Sequence, residues 1–212
     1  MSNAAQRLRA RAANEGLTVP DELAVRLVAY FDVLQRWNRK INLTSISDLN
    51  EAIDRLLIEP VAAAAYLPRG STLVDLGSGG GSPAIPLALA LGSPKLLMVE
   101  SRSRKAAFLR EAAREVQLLA SAESARFESV CTDPTYAGRF DLASIRAVRQ
   151  DLAVLSAAAA LVRPGGLVAL FQSATADTAP SSLPPELAWR VTEPLLRSTG
   201  SQLTVLFHVE HC

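Results

Sequence analysis

Residues with chemical potential cluster at three places in this 212-residue chain. The first is Thr72 to Pro83, where a β-branched and apolar run meets Asp75 and then three glycines at alternate positions, Gly77, Gly79 and Gly81. Glycine serves where backbone must lie against a ligand or take positive φ, so this stretch predicts a strand turning sharply into a nucleoside-binding loop. The second is Glu100-Ser101, at the end of the run Lys95 to Val99. A carboxylate at the tip of the next strand can accept both hydroxyl hydrogens of a ribose. The spacing is G-x-G-x-G rather than G-x-G-x-x-G, and Pro83 and Pro86 are awkward for a helix that must cradle a pyrophosphate. Both points favour S-adenosylmethionine, which has a ribose and an adenine but no phosphate. Asp75, Gly77, Ser78, Gly79, Gly81, Glu100 and Ser101 are the expected cofactor contacts, Asp75 anchoring the loop or the cofactor's methionine end.

The third place is Arg146, at the end of a fourth strand, with Arg149 beside it. Parallel α/β sheets hold their ligands outside the carboxyl ends of the strands, and a guanidinium there can contact the O6/N7 edge of guanine or a phosphate. Between these places, residues 101–114 together with Lys95 carry six positive groups, flanked by Glu100 and Glu111. That face is either simply solvated or a contact for a phosphate backbone. The tail His208-x-x-His211-Cys212 has a metal-ligand look but lacks a fourth ligand, so no metal is expected.

The elements that must position these groups follow from periodicity. Residues 3–14 read as a helix with a basic face, and a second helix starts after Pro20 and runs to about Arg36. A polar loop over 38–47 precedes a third helix, capped by Ser47 or Asp48 and reaching about Tyr66. Strands are predicted at 72–76, 95–99, 125–130, 140–145 and 166–171, with helices at 83–91, 102–119 and 149–162. This alternation predicts a parallel sheet with helices on both faces. Residues 173–186 read as loop. Two closing strands, 187–193 and 202–209, lack a long helix between them, so the last should run antiparallel. The expectation is a helical extension over 1–70 and a cofactor-binding α/β domain over 71–212, forming one compact unit. Trp37 and Tyr30 are expected to pin the helices to that domain.

Composition sets the bounds. A hydrophobic share of 49% suffices for a sizeable core, and a net charge of +1 gives no global attraction to nucleic acid, so any basic patch must be local. Cys131 and Cys212 read as thiols of a reducing compartment. The polar, arginine-bearing start has no signal-peptide core and no stretch approaches a membrane span, so the expectation is a cytoplasmic protein.

Motif by motif, the chain resembles the RsmG (GidB) family of small-subunit ribosomal RNA methyltransferases. Trp37 to Thr44 resembles that family's W-N-x-x-x-N-L-T, and Asp75 to Ala88 is similar to its D-L-G-S-G-x-G-F-P-G-I-P-L-A. Arg104-Lys105 with Phe108-Leu109, Arg146-Ala147 and Arg163 to Gly166 resemble its K-R-x-x-F-L, S-R-A and K-P-G-G. The resemblance implies the class I methyltransferase fold, Rossmann-like, with a seven-stranded sheet and N-terminal helices. It implies S-adenosylmethionine as cofactor and N7 of a guanine in the 530 loop of 16S rRNA as target. The implied partner is 16S rRNA or a small-subunit precursor, bound by a monomer. On that reading Arg146 is the catalytic residue, and Arg39, Lys40, Arg102, Arg104 and Lys105 join it in binding RNA. Departures concentrate on the RNA side, where Leu56 stands for the family's histidine, Cys131 for an arginine, Phe171 for a lysine and Gln202 in its E-R-H-L; Ser82, for a phenylalanine, is the glycine loop's own departure. Each lost cation weakens an exposed phosphate contact by up to about 1 kcal/mol. A different RNA or small-molecule substrate, or a non-catalytic ribosome-associated role, are the competing expectations.

Overall fold

The computed structural model describes residues 3–146, 151–173 and 182–209. Within them seven strands make one sheet: β1 (Leu73–Leu76), β2 (Leu96–Val99), β3 (Ala120–Glu123), β4 (Phe140–Arg146), β5 (Val162–Ser173), β6 (Leu187–Pro194) and β7 (Ser201–His208). Their order is β3-β2-β1-β4-β5-β7-β6. Strands β3, β2, β1, β4 and β5 run parallel, while β7 is antiparallel to both β5 and β6, as the missing connecting helix requires. Strands β1 and β2 are buried at every position, which is why they read as unbroken apolar runs. The chain leaves β1 toward β2 and returns to β4, so the switch point lies between the carboxyl ends of β1 and β4.

One strand differs from expectation. Residues 125–130 are not a strand; Phe127–Cys131 is a short helix, and β3 lies earlier, at Ala120–Glu123. Phe127 and Val130, three residues apart, turn one helical face onto the apolar cluster beneath. The strand segment Ala-Ser-Ala-Glu has little β-propensity of its own and is held by parallel pairing to β2.

The other crossover helices are α5 (Ala84–Leu91), α6 (Ser103–Glu115) and α8 (Leu152–Leu161); the Phe127–Cys131 helix between them is α7. Pro86 sits in the first turn of α5, where its missing N–H has no intrahelical acceptor to serve, so the prolines do not displace that helix. Helix α6 stops at Glu115, short of the expected 119, because Gln117 takes a φ of 51° and Leu119 already leads into β3. The expected start of α8 and the loop beyond β5 fall partly outside the described residues.

Before the sheet come α1 (Asn3–Asn14), α2 (Asp21–Asn38), α3 (Leu49–Ile53), a π-helical turn (Asp54–Ile58), α4 (Glu59–Ala63) and a 3₁₀ turn to Tyr66. Asp48 caps α3 by accepting the Glu51 N–H at 2.8 Å. The basic face of α1 is used internally: Arg11 forms a two-bonded pair with buried Asp54 (2.7 and 2.5 Å), and Arg7 donates to Asn50 Oδ1. Helix α2 lies on α6, with the Trp37 ring edge-on to Phe108 (centroids 6.0 Å apart) and the Arg26 guanidinium on the Val116 carbonyl. One apolar cluster therefore runs without a break from Leu8, Leu27 and Leu57 into Leu73, Leu96 and Phe108, while α7 and α8 seal the other sheet face. Among the described residues no helix is long and apolar enough to cross a membrane.

Candidate active site

A cleft of about 920 Å³ opens at the switch point, lined by Gly77 to Gly80, Ser82, Glu100 to Arg102, Lys105 and Arg146, with Thr44 from the loop after α2, Arg55, Leu56 and Glu59 from the N-terminal helical segment, and Phe171, Gln172 and Gln202 from the far strands. A smaller hollow of about 190 Å³ shares Gly77, Glu100 and Ser101 with it and is closed by Val99, Ala125, Arg126, Phe127 and Glu128.

The glycine loop is held by the groups around it. Gly77, Gly79 and Gly81 all have positive φ (76°, 48° and 83°). Glu100 is buried, its Oε2 accepting the Gly79 N–H at 2.9 Å and its Oε1 the Arg102 N–H at 2.8 Å. Each oxygen keeps a further lone pair for a ligand. Gly81 lines neither cavity; a Cβ there would press on Ile85, Leu109 and Tyr30 at 3.1 to 3.2 Å, so it is the seat where α2, α5 and α6 close on the loop. The Tyr30 hydroxyl donates to the Gly80 carbonyl at 2.5 Å, and burial pushes its phenol far up. Gly80 admits the Leu43 carbonyl, which a Cβ would meet at 3.1 Å. That carbonyl is positioned by Asn38, whose Oδ1 accepts from the N–H of Leu43 and of Thr44 (2.8 and 3.0 Å). The Trp-Asn…Leu-Thr spacing is thus a clamp that lays residues 43–46 along the cleft.

Asp75 also lines neither cavity. It is 1% exposed, paired in register with Ser144 of β4, whose hydroxyl donates to its Oδ1 at 2.5 Å. Burial raises its carboxyl to about 6, against the pull of the Ser144 and Ser78 hydroxyls. It stands beneath the loop as an anchor.

Arg146 occupies the cleft wall, its side chain 16% exposed. Nη2 donates to Glu59 Oε2 at 2.8 Å, Nη1 to the Arg55 carbonyl at 2.5 Å, and the guanidinium carbon lies 4.7 Å from the centre of the Phe171 ring. Burial lowers its pKa from the ordinary value, opposed first by Glu59. The π turn makes this possible. The Glu59 N–H bonds Asp54 O, five residues back, instead of Arg55 O, and Pro60 has no N–H to offer Leu56 O. Two carbonyls are released toward the cleft: Arg146 takes one and the Ser82 hydroxyl takes the other at 2.9 Å.

Of the expected RNA contacts, Arg102 and Lys105 line the cleft, Arg39 lines an adjoining hollow with Asn38 and Thr44, and Lys40 and Arg104 are exposed and line neither. Arg110 of the basic helix is engaged by the Ala122 carbonyl. Four of the family departures converge: Leu56, Ser82, Phe171 and Gln202 all line the cleft, whereas Cys131, the last residue of α7, lines neither it nor the smaller hollow. Arg149, Ala147, His211 and Cys212 lie outside the described residues. Sequence reasoning missed Glu59 and residues 125–128. The signal for Glu59 was a lone acid in the apolar run Leu56 to Ala65, at 3% exposure the least accessible acid of the cleft.

A sheet in this order, with a glycine loop after β1, an acid after β2 and a reversed last strand, defines the class I methyltransferases, whose methyl donor is S-adenosylmethionine. The same fold is seen in an O-methyltransferase from Bacillus cereus solved with S-adenosylhomocysteine, at 17% identity and a TM-score of 0.60 over 86% of this chain and 91% of that one. Residues 24–187 match the family model GidB, rRNA small subunit methyltransferase G, and the chain belongs to that family. Ribosomal RNA small subunit methyltransferase G of Stenotrophomonas maltophilia K279a is 36% identical over 81% of this chain and 78% of its own length. The protein of that name from Rhodospirillum centenum is 41% identical over 70% and 67%.

Proposed function

We propose that this methyltransferase modifies N7 of a guanine in the 530 loop of 16S rRNA, acting in the cytoplasm as a monomer on the small subunit or its precursor. The observation that carries the reading is the cleft at the switch point, which joins a nucleoside-shaped corner at Gly77 and Glu100 to a wall of cations, Arg55, Arg102, Lys105 and Arg146. The residues fit S-adenosylmethionine: Glu100 retains lone pairs for a ribose, and the Ala125–Phe127 hollow is of adenine size and apolar on the Phe127 side. When bound, that cofactor supplies an electrophilic methyl group. Gly77, Ser78, Gly79, Glu100 and Ser101 hold it, with Asp75 and Gly81 supporting the loop from below.

Guanine N7 has a free lone pair and no proton, so no general base is needed and the protein acts by positioning. Arg146 orients the base; Arg39, Lys40, Arg102, Arg104 and Lys105 engage phosphates of the surrounding RNA. The convergence of Leu56, Ser82, Phe171 and Gln202 on the cleft, two of them against Arg146, favours a second reading, the same chemistry on a different guanine. Both are tested by mapping N7-methylguanosine in rRNA from cells with and without the gene, by chemical cleavage. Loss of the modification in the 530 loop supports the first reading; loss at another guanine supports the second. A complete and unchanged map overturns both.

A further inference from the structure

Three buried side-chain atoms among the described residues lack a hydrogen-bond partner: Glu59 Oε1, Gln202 Nε2 and Ser93 Oγ. Two of these three belong to residues that line the cleft. Buried polar groups are almost always satisfied, and an orphan carboxylate oxygen is among the costliest exceptions. A ligand that supplies N–H donors would satisfy it, and the phosphates that suit the neighbouring cations cannot, because they only accept.

The arrangement says which donor. The Arg146–Glu59 pair presents, side by side, a donor and an acceptor joined at 2.8 Å. A guanidinium has five N–H groups, and Glu59, the Arg55 carbonyl and the Ser82 hydroxyl (3.4 Å) take three of Arg146's. Guanine carries the complementary order on adjacent atoms, acceptor O6 and then donors N1–H and N2–H. Adenine carries the reverse, donor N6–H and then acceptor N1. A carboxylate aimed at adenine N1 would set lone pair against lone pair in a buried site. Gln202, whose amide can present NH₂ or carbonyl, offers a further group for the base.

Building on the guanine-N7 reading above, we propose that Glu59 is the specificity-determining residue of the cleft. Its Oε1 accepts from guanine N1–H and N2–H while Arg146 donates to O6, leaving N7 directed away from the pair and open to methylation. Adenine is rejected by reversal of both bonds, and inosine, which lacks the N2 amine, binds less well.

The test is an NMR titration of the full-length protein, saturated with S-adenosylhomocysteine, using guanosine, inosine and adenosine 5′-monophosphates. The wild type should prefer the guanosine nucleotide over the adenosine one by about tenfold or more, the discrimination one good paired contact gives, with inosine between. Glu59→Gln should collapse that preference to within about twofold while S-adenosylhomocysteine affinity, measured by calorimetry, changes by less than about threefold. Glu59→Asp, which keeps the acceptor, should restore part of it. If Glu59→Gln does not fold, the wild-type ranking decides together with Gln202→Leu, which should keep guanosine ahead of adenosine; loss of that order in Gln202→Leu assigns the discrimination to Gln202 and overturns the inference.

A wild type that ranks the nucleotides equally, or binds none at millimolar concentration, overturns the inference. So does a Glu59→Gln variant that keeps the preference, or one that loses cofactor affinity instead. The rRNA map described above fails independently: a protein that reads guanine through Glu59 but leaves the 530 loop unchanged refutes the 530-loop assignment and upholds Glu59.

Discussion

The two halves of the cleft are built in opposite ways. On the side proposed to hold the cofactor, Glu100 takes the N–H groups of Gly79 and Arg102, 21 and 2 residues away, and both of its oxygens are used. On the side proposed to hold the substrate, Arg146 is held by Arg55 and Glu59, 91 and 87 residues away, and polar atoms of Glu59 and Gln202 stay unpaired. The first half is a finished cradle made by two strand tips. The second is an incomplete set of contacts assembled across the fold. A finished cradle suits a ligand that never changes, and an incomplete one suits a ligand that must be told apart from its competitors.

The comparison can be broken most sharply at Arg146. Arg146→Ala should abolish rRNA methylation and also destabilise the fold by about 3–5 kcal/mol, because Glu59 is left buried without its partner. Replacing both, Arg146→Met with Glu59→Leu, should recover most of the melting temperature and none of the methylation. Recovery of activity in the pair would show that the cations matter only for folding. Next in size is the cofactor half. Glu100→Ala removes two charge-assisted bonds and should weaken S-adenosylmethionine binding by about 10- to 100-fold in calorimetry. The ranking of nucleotides at Glu59 should stand.

A third effect lies under the loop. The Asp75 carboxyl, raised to about 6 when folded, holds a proton that the unfolded chain has already released above its ordinary value near 3.8. Folded protein therefore binds more protons between those values. The stability this gives is complete at low pH and is lost as pH rises through 6, on the order of 3 kcal/mol over the window. In thermal unfolding, Asp75→Asn should gain on the wild type from pH 4 to about pH 6 and then level off. A constant offset would contradict the buried, raised carboxyl. The smallest effect is at the clamp: Asn38→Ala should cost about 1–2 kcal/mol, by denaturant titration, for two lost acceptor contacts.

The same contrast governs what could be read from sequence. The geometry of the Glu100 half was legible because strand, glycines and acid follow one another at fixed offsets, and the parallel run of the sheet follows from alternation. The reversed last strand was legible from a missing helix. Glu59 was not: a lone acid in an apolar run marks an ionic partner but cannot say that the partner is an arginine 87 residues later. Nor was the π turn, whose released carbonyls matter only once β4 is beside them. Strand β3 was misplaced because an Ala-Ser-Ala-Glu edge strand draws its identity from pairing with β2 and not from its own residues.

The seating of α2 has a consequence for the order in which the chain is made. Arg26 finds its acceptor at Val116, 90 residues downstream, and Tyr30 finds Gly80 only after β1 is in place. At synthesis rates of 5–20 residues per second, the first helices leave the ribosome roughly 5–18 s before their partners exist. During that interval the face that α2 turns toward α6 has no native surface to cover. The newborn chain is therefore most vulnerable to aggregation while its N-terminal third waits for α6, and a pause in translation before residue 116 would lengthen that exposure.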